Sequence, residues 1–95
     1  MDIRIHPCSL SGAVTPPPSK SMAHRVVLAQ MLSTHPGTTS NQGDSQDIQA
    51  TRRCVEVLTT AQPGVLPHLD CGESGSTLRF LIPVALAVAG GGRFT

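Results

Sequence analysis

The segment Pro18-Ser19-Lys20-Ser21 carries the side chains of this sequence best suited to holding an anion. Lys20 stands at or just before a predicted helix start, where free backbone N–H groups and the positive end of the helix dipole favour negative charge. Ser21 adds a hydroxyl donor, and Arg25 lies one helical turn later on the same side. An ammonium, a hydroxyl and a guanidinium at one place suit a phosphate or a carboxylate. In the alternative interpretation, which spacing alone slightly favours, Lys20 is solvated, Ser21 only caps the helix and Arg25 pairs with an acid.

A second segment, from Gly72 to Arg79, has a similar character. Its two glycines allow the backbone to approach a ligand closely, and its serines and threonine bring hydroxyls to another predicted helix start. It is not a Walker P-loop, because no Lys precedes a Ser or Thr after the second Gly. The alternative is an ordinary capped loop in which Arg79 holds a neighbouring group. Two such helix starts in one short chain indicate a site for a ligand with several negative groups.

The remaining polar residues suggest no further chemistry. The histidines show no metal-like grouping, and His68 with Cys71 supplies only two soft ligands, too few for a zinc site. Asp44 and Asp47 are expected to serve a helix start rather than to form an acid/base pair, and Arg52-Arg53 is expected to be a solvated helix face. The sequence therefore predicts no metal, no cofactor and no catalytic residue within the chain.

Composition narrows the class of protein. The 95 residues include 2% aromatic and 14% charged residues with a formal net charge of +1. A core without large aromatic side chains is thin, which suits part of a larger body better than a self-sufficient domain. A nucleic-acid-binding surface would need a basic excess, often with stacking aromatics, so no nucleic-acid partner is expected.

Cysteine usage and hydropathy predict a cytoplasmic protein. The three cysteines, Cys8, Cys54 and Cys71, are odd in number and widely separated, so reduced thiols are expected. The N-terminus has no apolar signal core, and no apolar run is long enough to span a membrane. No membrane partner is therefore expected.

The elements that must position these segments follow from periodicity and turn residues. Apolar residues alternate in the first 14 residues and recur at three- and four-residue steps in three later segments, and three consecutive prolines predict a stiff connector. The predicted order is strand, helix, strand, helix, strand, helix, so the fold class is α/β (α+β). The predicted strands are one strand, or two short strands with a turn, at Met1–Val14, then Thr38–Gln42, Val65–Asp70 and the start of a strand in Gly90–Thr95. The predicted helices are Ser21–Leu32, Asp44 or Ser45–Thr60 and Thr77–Ala89, and the connector is Thr15–Ser19. The last helix is apolar on nearly every side, which predicts burial inside a larger structure.

At the two anion-binding segments the sequence resembles the 5-enolpyruvylshikimate-3-phosphate synthase family. The resemblance is carried by Pro-Ser-Lys-Ser followed by Arg25, by Gly72-Glu73-Ser74-Gly75-Ser76-Thr77-Leu78-Arg79, and by Asn41 to Leu58 with Ser45, Asp47 and Ile48. It extends over the whole chain, and the order and spacing of the two motifs are specific to the N-terminal part of that family.

The resemblance implies an activity and its site residues. Members transfer the enolpyruvyl group of phosphoenolpyruvate to the 5-hydroxyl of shikimate 3-phosphate, a step of aromatic amino-acid biosynthesis that glyphosate inhibits. It implies that Lys20 contacts both substrates, that Ser21 and Arg25 contact shikimate 3-phosphate, and that Gly75 contacts phosphoenolpyruvate. Glu73 stands where many members carry Asn, which leaves its role open.

The resemblance also implies a domain organisation. Members have two domains built from βαβαββ repeats that close over the substrates, and they are expected to be monomers when full length. Residues 1–18 would be a strand region and hinge of the other domain, and residues 19–95 the first part of the N-terminal substrate-binding domain. The sequence stops before the family's later arginines, carboxylates and lysines, so this stretch alone is expected to be inactive.

Two other functions remain open. One is the related transferase acting on UDP-N-acetylglucosamine, a family that usually has Asn after the motif lysine and lacks the arginine four residues on. Ser21 and Arg25 favour the shikimate enzyme over it. The other is a non-catalytic module that binds anions or a partner.

Overall fold

In a computed structural model of the protein, which describes residues 1–39 and 43–95, helices and a small sheet alternate along the chain. The described residues form α1 (Lys20–Leu32), α2 (Gln46–Thr60), β1 (His68–Leu69), α3 (Gly75–Ala89) and β2 (Arg93–Phe94). The two strands pair in parallel, with His68 opposite Arg93. A parallel pair needs a crossover, and α3 supplies it, so β1, α3 and β2 form a β-α-β unit. The predicted α/β class is confirmed at this level.

Each helix begins at a serine that caps it. The side chains of Ser19, Ser45 and Ser74 accept hydrogen bonds from backbone N–H groups in the first turns of α1, α2 and α3. These bonds satisfy donors that a helix start otherwise leaves without a partner. Ser19, not Ser21, therefore caps α1, which leaves the Ser21 hydroxyl for other contacts.

The hydrophobic core lies where the three helices meet the sheet. The buried cluster contains no aromatic residue, as composition predicts. Phe80 and Phe94 are only partly buried and pack against it. In α2 the side facing the core carries Ile48 and Leu58, which are buried, and Val55, which is half-buried. The buried cluster consists of Leu28, Cys54, Leu58, Leu69, Cys71, Leu81 and Ala85.

All three cysteines lie among the described residues and none forms a disulfide. Cys8 is exposed, whereas Cys54 and Cys71 are buried in the core. Burial, with a smaller contribution from the neighbouring Cys71, raises the pKa of the Cys54 thiol to about 12. Both core cysteines therefore act as small apolar side chains rather than as nucleophiles.

The N-terminal strand prediction is wrong for this structure. Residues 1–19 contain no strand or helix, and residues 1–17 are exposed. A strand needs a neighbouring strand to bond its N–H and C=O groups, and the alternation at Met1–Val14 finds none among the described residues. The extended connector predicted at Thr15–Ser19 agrees with the absence of helix and strand there.

The strand predicted at Thr38–Gln42 is not formed at Thr38 and Thr39, and its remaining residues, 40–42, lie outside the described residues. The strand predicted at Val65–Asp70 is confirmed but shortened to β1. The predicted strand start in Gly90–Thr95 is confirmed as β2. Gly90, with a φ of 74°, ends α3 in the left-handed conformation that turns the chain towards β2.

The last helix is predicted to be buried inside a larger structure, and within this chain it is only partly covered. Only one side of α3 packs on α2 and the core, because no other described element lies on its opposite side. Three large apolar residues at four-residue steps, Leu78, Ile82 and Leu86, are exposed along another side of the helix, and Val88 is exposed near its end. Such a contiguous apolar surface typically marks a contact site. Among the described residues, no helix has the length and apolarity needed to cross a bilayer.

Candidate functional site

The two helix starts singled out in the sequence face one another across a cavity of about 560 Å³. The start of α1 supplies one wall and the first turns of α3 supply the other, while α2 contributes a carboxylate. The lining residues are Lys20, Ser21, His24, Arg25, Asp47, Ser76, Arg79 and Phe80. Three of the four predicted substrate-binding residues, Lys20, Ser21 and Arg25, therefore line one cavity. Arg79 lines it too, although it lies more than 50 residues further along the chain.

Lys20 is held at the cavity mouth by an ion pair. Its Nζ lies 3.1 Å from Oδ2 of Asp47, and the two side chains are 61% and 37% exposed. An exposed pair of this kind contributes about 0–1 kcal/mol. An incoming anion can therefore compete for the ammonium at little cost, and the pair keeps Lys20 near the site until then.

Arg25 is oriented without an acidic partner among the described residues. Its Nη1 donates to the hydroxyl of Ser21 and, at 3.4 Å, to the Ser21 carbonyl. Its guanidinium carbon lies 5.7 Å from the ring centre of Phe80, within cation–π range. The alternative in which Arg25 pairs with an acid is therefore wrong here, and its charge is not neutralised.

The segment from Gly72 to Arg79 contributes Arg79, and not Gly75, to this cavity. Arg79 lies one turn into α3, and its Nη2 donates to the Ser76 hydroxyl at 3.5 Å. Gly75 lines an adjoining cavity of about 310 Å³ on the other side of the loop. A Cβ at Gly75 would lie 3.9 Å from Nη1 of Arg79, so the glycine borders the arginine without reaching the shared cavity.

The charge of the cavity suits a dianion. Lys20, Arg25 and Arg79 bring three positive charges and Asp47 one negative charge, so the lining carries a net charge of about +2. The α1 start adds backbone N–H groups and its dipole. A phosphate monoester has the complementary charge and the oxygen geometry that arginine forks recognise.

Spacing did not identify the buried side chains behind this cavity. His24, Thr51 and Thr77 are 2%, 0% and 0% exposed, and each has a hydrogen-bond partner. Burial lowers the pKa of His24, Asp47 raises it and Lys20 lowers it further, with a net decrease. His24 is therefore neutral at neutral pH. No signal in the sequence singles out these three residues, because a polar side chain on an inward helix face is equally typical of core residues.

The stability of the chain is expected to decrease as the pH falls below 6.5, the ordinary pKa of His24. Because the folded-state pKa is lowered, the unfolded chain takes up the proton first. The stabilisation is therefore fully present above pH 6.5 and is lost as the pH falls through the lowered value. Thermal unfolding across this range, compared between the wild type and His24→Gln, measures the effect.

The matched control is His6→Gln, because His6 lies in the exposed N-terminal segment. We expect His6→Gln to keep the pH dependence of the wild type and His24→Gln to flatten it. An unchanged slope in His24→Gln would show that other groups cause the loss of stability.

Within residues 1–39 and 43–95, no three His, Cys, Asp or Glu side chains are arranged to hold a metal ion.

The family model and the curated relatives that match this chain all indicate the same family. The sequence model of the EPSP synthase (3-phosphoshikimate 1-carboxyvinyltransferase) family matches residues 6–94. The 3-phosphoshikimate 1-carboxyvinyltransferase of Clostridioides difficile strain 630 is 39% identical over 97% of this chain and 27% of its own length. Those of Clostridium acetobutylicum and Clostridium beijerinckii are 35% and 36% identical over 88% and 98% of this chain, and 24% and 26% of their own lengths.

The chain thus spans about a quarter of the length of the curated relatives it matches. No solved structure matches it. The family match covers both helix starts that line the cavity and nearly all of the chain. This chain belongs to the EPSP synthase (3-phosphoshikimate 1-carboxyvinyltransferase) family.

Proposed function

We propose that this chain forms part of the substrate site of an enzyme that transfers the enolpyruvyl group of phosphoenolpyruvate to the 5-hydroxyl of shikimate 3-phosphate, releasing phosphate. The observation that carries the proposal is the cavity that brings Lys20, Ser21 and Arg25 from α1 together with Arg79 from α3. Both substrates carry a phosphate and a carboxylate. A cavity with an excess of positive charge complements them and also the charge that moves during addition and elimination.

Each proposed contact has a physical basis in the site. Lys20 is a compact ammonium on a flexible stem at the cavity mouth, so it can contact both substrates. Ser21 and Arg25, already bonded to each other, present a hydroxyl and a guanidinium to the phosphate of shikimate 3-phosphate. Gly75 allows the loop before α3 to approach phosphoenolpyruvate from the adjoining cavity. The acid and base of the reaction come from outside this chain, which alone is inactive.

We also propose the two-domain organisation of the family for the whole protein. Residues 1–18 serve as a strand region and hinge of the second domain, and residues 19–95 begin the substrate-binding domain. The exposure of residues 1–17 and of the apolar side of α3 supports this proposal, because both segments have contacts still to make. The whole enzyme is a cytoplasmic monomer that takes part in aromatic amino-acid biosynthesis.

The test is calorimetric titration of the full-length protein that carries this segment. Shikimate 3-phosphate is expected to bind, and phosphoenolpyruvate to bind the resulting complex, with inorganic phosphate released on turnover. UDP-N-acetylglucosamine is the competing ligand, and its preferential binding would identify the related transferase instead. A protein that binds inorganic phosphate but neither substrate would be a non-catalytic anion-binding module.

A further inference from the structure

A chain of hydrogen bonds runs behind the cavity and joins all three helices. Nδ1 of His24 in α1 lies 2.7 Å from the Thr51 hydroxyl in α2, and that hydroxyl lies 2.8 Å from the Thr77 hydroxyl in α3. The Thr77 hydroxyl is 2.6 Å from that of Ser74, which caps α3, and 3.2 Å from the carbonyl oxygen of Asp47. All four side chains in the chain are at most 5% exposed.

The directions of these hydrogen bonds follow from the single hydroxyl proton of Thr77. The Thr77 hydroxyl donates towards the Ser74 oxygen at 2.6 Å and towards the Asp47 carbonyl oxygen at 3.2 Å, so its proton serves these two acceptors. Between Thr51 and Thr77 either oxygen can donate, and because the Thr77 proton is already used, Thr51 donates to Thr77. Thr51, having used its proton, must accept from His24. If Thr77 instead donated to Thr51, the lone pairs of its oxygen would face the Asp47 carbonyl oxygen, and the two acceptors would repel each other.

The geometry points to His24 as a positioning residue that, with its proton on Nδ1, sets the gap between Arg25 on α1 and Arg79 on α3. This inference rests on the proposed function, because that gap matters only if both arginines hold one substrate. His24 also lies 5.9 Å from the ring of Phe80, the residue under Arg25, so the same imidazole contacts both sides of the cavity.

The physical reason is that these hydrogen-bonded side chains are buried. A buried polar group that loses its partner pays its full desolvation cost, so the three helices can shift or rotate only if several bonds break together. Packing of small buried side chains, such as those of Ala23 and Ala50, would tolerate a small slide. The polar chain therefore defines a single register between α1 and α3.

The experiment uses the full-length protein that carries this segment and shikimate 3-phosphate as the probe. Thr51→Val keeps the shape of the side chain but removes the hydroxyl at the centre of the chain, and Thr51→Ser keeps the hydroxyl. The matched control is Thr59→Val, which makes the same change at the exposed end of α2, where the hydroxyl donates to the Glu56 carbonyl and to no other described residue. Calorimetry well below the unfolding temperature gives the dissociation constants.

Thr51→Val is expected to bind at least about tenfold more weakly, because a displaced arginine loses a charge-assisted hydrogen bond to the substrate. Thr51→Ser and Thr59→Val are expected to bind like the wild type. If Thr51→Val and the wild type bind with equal affinity, the positioning role is wrong and the proposed function stands. A wild-type protein that does not bind shikimate 3-phosphate overturns the proposed function, and the positioning role with it.

A second measurement needs no variant. Nitrogen-15 chemical shifts of the His24 ring in the wild-type protein distinguish a proton on Nδ1 from one on Nε2. The Nδ1–H form is expected, and it should persist when shikimate 3-phosphate is added. An Nε2–H form would mean that Thr51 donates to the ring, which overturns the proposed arrangement even if Thr51→Val fails to fold.

Discussion

Replacing Arg25 with glutamine in the full-length protein is expected to weaken binding of shikimate 3-phosphate about 10- to 100-fold. A hydrogen bond to a charged group contributes about 1.5–3 kcal/mol, and Arg25 is the cation of this cavity held in place by both a hydroxyl and an aromatic ring. Glutamine keeps much of the stem but removes the charge and the fork. Isothermal titration calorimetry gives the change directly.

The control for Arg25 is Arg52→Gln, which makes the same change of charge outside the cavity. Arg52 lies on α2, with Nη1 3.5 Å from Oδ1 of Asp44. Because exposed charges are screened over roughly 8–10 Å at physiological salt, this variant is expected to bind nearly as the wild type does. Equal losses in the two variants would mean that total charge rather than the cavity governs binding.

The largest effect on stability is expected from Leu81→Ala. Leu81 is 0% exposed and packs in the core cluster on the inner side of α3. Removing a buried leucine side chain lowers the free energy of unfolding by about 2–5 kcal/mol, through lost burial and the cavity left behind. In a chain of 95 residues such a loss takes a large share of the available stability, so the midpoint of urea unfolding followed by circular dichroism should shift strongly to lower urea concentration.

Leu86→Ala is the matched control, because it makes the same truncation on the opposite side of the same helix. Leu86 is 65% exposed in this chain, so the free energy of unfolding is expected to change by less than about 0.5 kcal/mol. A large loss in Leu86→Ala, or none in Leu81→Ala, would show that α3 packs through the other face.

Local features of the fold followed from sequence because their causes are local. A serine before an apolar-periodic segment, a glycine after it and a proline-rich connector act within a few residues. The three helix positions and the strand before α3 were therefore predicted to within a few residues. The relation between Lys20, Ser21 and Arg25 also depends on one helical turn, so spacing alone could place the three together.

The features that failed depend on partners far along the chain. The alternation at Met1–Val14 predicts a strand, but a strand forms only beside another strand, and the described residues offer none. The apolar pattern of α3 predicts burial inside a larger structure, which stays a prediction, and it cannot say which side the core of this chain covers.

Tertiary structure alone decided the composition of the site. It turned Arg79 and Phe80 towards α1, paired Lys20 with Asp47 and left Gly75 in the adjoining cavity. It also joined His24 to Thr77 through Thr51, a connection across more than 50 residues. Sequence determined which groups were able to bind an anion, since charge and helix starts are encoded locally. Which of them share one cavity depended on helix packing, because packing sets distances between residues that have no fixed spacing in the chain.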